Sequence, residues 1–246
     1  MTTAINLHAK ASPTFAAKLA ETQALLKRAA AEFSPITQAS SLGAEDVVIT
    51  HLINSLKLDI AMFVLNTGML HKETLQLLAR TKQATRAGVT VYEPVAEAVV
   101  QFVGREGTTA MYRSVELRKA CCHLRKVEPL ERALAGKRAW VTGLRRDQST
   151  ARAEVPLEDS SDVAAHNRTK FNPLANWTWG DVWHYIKLHN VDYNSLHDHF
   201  YPSIGCVPCT RSIALGEDFR SGRWWWENES AKECGLHVKQ DNRETA

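Results

Sequence analysis

Ile36-Thr37-Gln38-Ala39-Ser40-Ser41-Leu42-Gly43-Ala44-Glu45-Asp46 passes from a β-prone run through small residues to a pair of acids. Ile36 to Ala39 is a short β-prone run after Pro35 and reads as a weak strand. Ser40 to Ala44 is a loop of mostly small residues. Glu45 and Asp46 then open a helix that runs to about Leu56, with acids where a helix N-terminus favours negative charge. Ile60 to Leu65 follows as an unbroken apolar run, the pattern of a strand covered on both faces. Asn66-Thr67-Gly68 ends it, and a helix is expected from about His71 to Arg86. Gly88 to Tyr92 is the next strand, and Pro94 opens a helical stretch to about Phe102.

The same alternation extends in both directions. Residues 14–33 form an amphipathic helix with Leu19, Leu25, Leu26 and Phe33 on one side, stopped by Pro35. Residues 108–135 read as mostly helical, and Arg138 to Thr142 as a strand. Residues 147–167 are polar without a period and are expected to be a mobile surface loop. Thr169 to Pro173 reads as an edge strand and Trp179 to Leu188 as a helix, with little regular structure beyond. Alternation of this kind predicts an α/β fold: an open, mostly parallel sheet with helices on both faces. Ligands then bind at the carboxyl ends of the strands, where the loops after residues 40, 66 and 143 open on one edge. The expected division is an α/β domain over residues 1–215, with 1–35 as a helical extension, and a mobile tail over 216–246.

Bulk properties narrow the class. The chain has 246 residues, 44% hydrophobic and 23% charged, as in a soluble globular protein. A net charge of +3 gives no case for nucleic acid. No basic leader precedes an apolar run, and no stretch approaches the roughly 20 apolar residues of a membrane span. A cytoplasmic protein without a membrane partner is expected. Disulfides rarely persist there, so five cysteines call for metal, catalysis or packing. Arg118, Lys119, Arg125 and Lys126 flank one cysteine pair, and Arg145, Arg146 and Arg152 form a second basic group. Both suit a small anion with several charges; solvated helix faces are the plain alternative.

Three motifs can carry chemistry. Loop 40–44 offers backbone N–H groups and a helix N-terminus to a phosphate, but the same turn is also a common structural device. The cysteines Cys121-Cys122 and Cys206-x-x-Cys209 admit several readings. Adjacent ligands are awkward around one tetrahedral zinc ion. A thioredoxin-like dithiol belongs at a helix start, whereas this C-x-x-C follows a loop. Four thiolates on four irons suit a [4Fe–4S] cluster, and plain burial of Cys121 and Cys122 is also open. The third motif is the tail, with Arg223-Trp224-Trp225-Trp226-Glu227 and Lys232-Glu233-Cys234-Gly235-Leu236-His237. Three consecutive tryptophans cannot all face one core, so some stack on an adenine ring or another subunit. A homo-oligomer is expected. Cys234 is left over once four cysteines are paired off, with Lys232 and His237 near enough in sequence to favour its thiolate.

Several segments together resemble the assimilatory sulfonucleotide reductases. They are Ser41 to Asp46, Leu65 to Gly68, Cys121 to Lys126 with Pro129-Leu130, Thr142 to Ser149, Asn172 to Leu174, Ile204 to Thr210, Arg223 to Glu227 and Lys232 to His237. Singly most are weak; in this order they are highly specific. The resemblance implies a core like the N-type ATP pyrophosphatases, an adenine-nucleotide alpha-hydrolase-like fold. Members with the doublet and the C-x-x-C resemble the branch that reduces adenylyl sulfate (APS) and carries a [4Fe–4S] cluster on Cys121, Cys122, Cys206 and Cys209. Many that use the 3′-phosphorylated nucleotide (PAPS) lack both pairs. The resemblance implies thioredoxin-dependent reduction of APS to sulfite and AMP, with Cys234 as nucleophile. Ser41, Gly43 and Arg145 are then expected at the nucleotide phosphate, and Lys126 and Arg223 at the sulfate. The alternatives are a PAPS reductase with the same cluster and a non-catalytic, zinc-stabilised nucleotide-binding module. Two departures stand out: Asn66, where the family often has Asp, and Leu42, where Phe is frequent.

Overall fold

A computed structural model describes residues 3–161 and 166–227. Six strands form one sheet: β1 (Ile36–Ser40), β2 (Ala61–Leu65), β3 (Val89–Tyr92), β4 (Ala139–Val141), β5 (Glu158–Asp159) and β6 (Thr169–Phe171). Their spatial order is β3-β2-β1-β4-β6-β5. All neighbours are parallel except β5 and β6. From β1 the chain winds outward through β2 to β3, then returns to build β4 and β6 on β1's other side. Strand order therefore reverses between β1 and β4, where open α/β sheets form a crevice.

Helices cover both faces. Among the described residues they are α1 (Ala4–His8), α2 (Phe15–Glu32), α3 (Ala44–Ser55), α4 (Lys72–Ala84), α5 (Ala96–Glu106), α6 (Val115–Cys122), α7 (Glu128–Leu134) and α8 (Trp179–His189). The larger core gathers Leu26, Val48, Leu52, Leu77, Phe171, Trp183 and Ile186 from α2, α3, α4, α8 and the sheet. The other face is closed by α7, whose Leu130, Ala133 and Leu134 pack on Phe63 and Trp140. The N-terminal helices are stitched to distant chain. The Ala4 N–H donates to Asp198 at 2.7 Å, and Thr22 donates to the Pro173 carbonyl and accepts from Trp177 Nε1. Asp181, in the first turn of α8, accepts from Ser12, Lys18 and Thr178. Those donors hold its carboxyl well below the usual range despite burial.

Most expected elements form within a residue or two of their expected ends. α5 runs on to Glu106, past its expected end near Phe102, and three further regions differ. Thr169–Phe171 is not an edge: β5, inside the expected loop 147–167, pairs with it and takes the edge. The loop's own start folds into 3₁₀ turns at Arg146–Gln148 and Thr150–Arg152. Residues 123–127, expected as ordinary helix, form a π turn between α6 and α7. Pro129 explains it: proline lacks the N–H that would bond the Arg125 carbonyl, and its ring crowds that carbonyl outward.

Candidate active site

The crevice at the β1/β4 switch is a cavity of about 210 Å³. Ser40, Ser41 and Gly43 line it from the end of β1, Leu65 and Thr67 from β2, and Thr142, Gly143 and Leu144 from β4. The three loops expected on one edge thus meet in one site. Leu42 turns the first loop: its φ is 61°, its N–H meets Ser40 Oγ at 3.2 Å, and its side chain is fully buried in the core. A leucine here anchors the loop and does not face a ligand. Ser41 donates its N–H (2.6 Å) and its hydroxyl (2.7 Å) to Asp46. Burial pushes the Asp46 carboxyl up to about 6, against those bonds. Gly143 is required by closeness, since a Cβ there would lie 2.5 Å from Asp46 Oδ1. The result is a fixed loop ahead of α3, whose first N–H groups and dipole favour an anion.

The cavity has an apolar end and a cationic end. Ala39, Phe63, Leu65, Leu130 and Trp140 make the first, a slot for a flat ring. Lys126, Arg220 and Arg223 line the second, Arg220 and Arg223 both over the Trp224 ring, and Arg152 lines the cavity beside Gln148, to which it donates at 2.6 Å; together they supply the charge a phosphate joined to a sulfate requires. Arg223 is buried and lies 4.6 Å above the Trp224 ring. It donates to Ser203 Oγ and the Ile204 carbonyl, while its Nε has no partner among the described residues. Gly205 leaves room for it: a Cβ there would stand 2.5 Å from Arg223 Nη2.

A second, small cavity adjoins. All four thiols, Cys121, Cys122, Cys206 and Cys209, line it, with Arg118, Arg125, Lys126 and Trp224. Lys126 and Trp224 line both cavities and form the partition. The doublet sits in the last turn of α6 as it enters the π turn, and the C-x-x-C lies on the 3₁₀ turn Val207–Cys209. Thr67 Oγ1 is 3.2 Å from Cys206 Sγ, and Arg125 donates to the Thr67 carbonyl at 2.7 Å, so the β2 loop spans both pairs. Burial pushes the Cys121 thiol up, and Cys209 to about 11. Bare thiolates are therefore disfavoured. Among the described residues no three Cys, His, Asp or Glu side chains gather closely enough for one metal ion; the sulfurs surround a space instead.

The structure redistributes the expected site residues. Ser41, Gly43, Lys126 and Arg223 line the larger cavity. Arg145 does not. It is fully buried behind the loop, bonded to Glu45 (2.9 Å), Asp147 and the Trp177 carbonyl, and lies 5.4 and 5.7 Å from the ring centroids of Trp179 and Phe219, which pack edge to face on each other. Its charge serves Glu45, which is buried beside the loop after β1. Arg152 and Arg220 line the cavity instead. Arg220 precedes Arg223 by three residues, a spacing that could have marked it. Arg118 is not available to an anion either: it pairs with Glu227 through two bonds of 2.8 and 2.9 Å and stacks on Trp224. That pair seats the tail, with Trp224 buried and Trp225 exposed. Asn66 is outside the cavity. Its Oδ1 caps the turn at Gly68, and its Nδ2 donates to Glu93 at 2.8 Å. An aspartate there would face the Glu93 carboxylate, so the amide matches its neighbour. Cys234 lies outside the described residues.

Comparison with known proteins gives the family. Residues 35–212 match the family described as phosphoadenosine phosphosulfate reductase domain. A Burkholderia cepacia protein named adenosine 5′-phosphosulfate reductase is 50% identical over 92% of this chain and 90% of its own. The Allochromatium vinosum protein of the same name is 49% identical over 88% and 84%. Among solved structures, phosphoadenylyl-sulfate reductase from Candida auris matches with a TM-score of 0.66 and 25% identity, over 83% of this chain and 98% of that one. Candida glabrata FMN adenylyltransferase, at a TM-score of 0.57 and 14% identity over 92% and 78%, shares the fold alone. The sheet order, the matched domain and the relatives converge: this chain belongs to the phosphoadenosine phosphosulfate reductase family, in the branch of the adenosine 5′-phosphosulfate reductases.

Proposed function

We propose that the protein is an oxidoreductase that reduces APS to sulfite and AMP with electrons from a thioredoxin-like dithiol, in sulfate assimilation and cysteine biosynthesis. One observation carries this reading: Lys126 and Trp224 stand between a cationic nucleotide cavity and a cavity ringed by four thiols. A site that only bound nucleotides would not need that partition. The adenine fits the slot of Phe63, Leu65 and Trp140, and the phosphate meets loop 41–43. Lys126, Arg152, Arg220 and Arg223 hold the sulfate end and offset charge on the leaving phosphate. Arg145 is assigned to positioning the loop.

The thiol cavity fits a [4Fe–4S] cluster. Its donors are sulfur only, they surround a space, and Arg125 and Lys126 line its walls. Cys121, Cys122, Cys206 and Cys209 would hold the cluster, which would add a fixed, polarising charge beside Lys126 when bound. Cys234 is assigned the covalent step. Its thiolate attacks the sulfur of APS, the bond from sulfur to the bridging oxygen breaks, and AMP leaves with the electron pair. The donor dithiol then attacks Cys234 Sγ, releases sulfite and becomes a disulfide, which supplies the two electrons. Among the described residues no helix is long and apolar enough to cross a membrane. A cytoplasmic homo-oligomer is assigned on the same reading.

The test is mass spectrometry of anaerobically purified protein incubated with APS and no reductant. One sulfonate is expected on the peptide bearing Cys234, removable by thioredoxin and lost in Cys234→Ser. An adduct on Cys206 or Cys209 overturns the assignment. Iron and acid-labile sulfide near four each per chain are expected; stoichiometric zinc without sulfide overturns the cluster.

A further inference from the structure

The wall formed by residues 195–205 carries a group that the reading above leaves unused. His197 lies in the 3₁₀ turn Ser195–His199, is 5% exposed and lines the nucleotide cavity. Its Nδ1 stands 2.8 Å from the Tyr201 carbonyl oxygen. A carbonyl only accepts, so Nδ1 carries the proton and Nε2 holds a bare lone pair. Nε2 is buried and has no hydrogen-bond partner among the described residues. Burial holds the ring's pKa down to about 4, so the imidazole is neutral near pH 7 and Nε2 can only accept. Trp179 and Trp183, with ring centroids 5.9 and 5.3 Å away, hold the ring in place. A fixed acceptor of this kind costs free energy unless something donates to it.

The surroundings say what can donate. The cations of this cavity, Lys126, Arg152, Arg220 and Arg223, carry donors only, matched to phosphate and sulfate oxygens. A lone pair is repelled by those same oxygens. It fits a hydroxyl or an amino group, and an adenine nucleotide offers both: the ribose hydroxyls and the amino group of the base. The slot for the base is the apolar end at Phe63, Leu65 and Trp140. His197 belongs elsewhere, packed on Trp179, which meets Phe219, and close enough to Glu45 at the start of α3 to feel its charge. The sugar joins base to phosphate, so it spans the space between these places. We propose that His197 is a substrate-binding residue whose Nε2 accepts a hydrogen bond from a ribose hydroxyl of the bound adenine nucleotide. The proposal rests on the nucleotide reading above, and adds to it the one contact that recognises the sugar from this wall.

The experiment is isothermal titration of the full chain with AMP, 2′-deoxy-AMP and 3′-deoxy-AMP. These probes need neither turnover nor reductant. Wild-type protein should bind one of the two deoxynucleotides about five- to tenfold more weakly than AMP, the worth of one such bond. His197→Phe keeps an aromatic ring in the cluster and removes the acceptor. It should bind AMP as weakly as the wild type binds that deoxynucleotide, and show no further penalty for the missing hydroxyl. His197→Gln restores an acceptor and should recover part of the discrimination. A deoxy penalty unchanged in His197→Phe overturns the inference alone, as does equal binding of all three nucleotides by the wild type, a result that holds whether or not the variants fold. No binding of AMP by the wild type overturns the nucleotide reading and this inference together.

Discussion

The two walls of the nucleotide cavity are built on opposite principles. The sheet-edge wall, residues 40–46 and 142–148, answers most of its own polar groups. Asp46 takes both donors of Ser41, and Glu45 takes Arg145 and Gln148; Arg145 Nη2 is the exception, without a partner. The C-terminal wall, residues 195–205 and 219–224, leaves Arg223 Nε, His197 Nε2 and Trp224 Nε1 buried without partners among the described residues. Buried polar groups are normally satisfied, and each one left open points to something missing. The first wall is a scaffold that spends its charges on itself. The second reserves them for a ligand or for the neighbouring thiol cavity. Basic residues near a site thus divide by what they already hold, not by how close they lie.

The largest expected effect breaks the scaffold wall. Arg145→Ala strands Glu45 in the interior and should lower the free energy of unfolding by ~3–5 kcal/mol in urea titrations. Unfolding at the wild-type midpoint would show that Arg145 is a binding residue after all. On the other wall, Arg223→Ala should keep stability within about 1 kcal/mol while weakening AMP binding roughly ten- to a hundredfold, the worth of a charge-assisted contact in a dry site. A loss of stability as large as that of Arg145→Ala would erase the distinction between the walls.

A subtler variant leaves every charge in place. Gly205→Ala puts a methyl group where the Arg223 guanidinium lies. The arginine end must shift, so AMP affinity should fall about tenfold with little change in stability. Wild-type affinity would mean that Arg223 need not sit where it does. The smallest effect is a pH dependence of the scaffold. Asp46 titrates near 6 in the fold, above the ordinary 3.8. The folded state therefore binds this proton more tightly than the unfolded chain, and the contribution to stability grows as pH falls through 6 toward 4. Between pH 7 and pH 5 wild type should gain roughly 1 kcal/mol relative to Asp46→Asn. A difference that shrinks over that range would show that the carboxylate is stabilised by its bonds to Ser41 more than burial opposes it.

The thiol cavity offers a contrast in how sites are assembled. Its two cysteine pairs are more than eighty residues apart and come from the last turn of α6, just ahead of the π turn, and from a 3₁₀ turn, not from strand ends. The β2 loop reaches Cys206 through Thr67 and the doublet's side through Arg125, and the Arg118–Glu227 pair fixes the helix that carries the doublet. Residues 216–227, expected as the start of a mobile tail, include the buried Trp224 and the Glu227 that closes this pair.

The alternation of apolar runs with small-residue loops determined the parallel sheet, the position of the crevice and most of its rim by itself. Strands buried on both faces and helices with one apolar stripe write their periods directly into the chain. The cysteine pairs were legible for a similar reason: thiols in such numbers need a use. Local pattern could not say which arginines face the cavity. Arg145, Arg152 and Arg220 look alike in sequence, and only packing shows that the first is consumed by Glu45 while the other two reach the cavity. It could not find β5, because two residues form a strand only where β6 offers an edge. Nor could it find His197, whose tautomer depends on the Tyr201 carbonyl and whose neutrality depends on being buried. Charge and hydrogen bonding are settled pair by pair across the fold, so the roles of polar residues were decided by the tertiary structure.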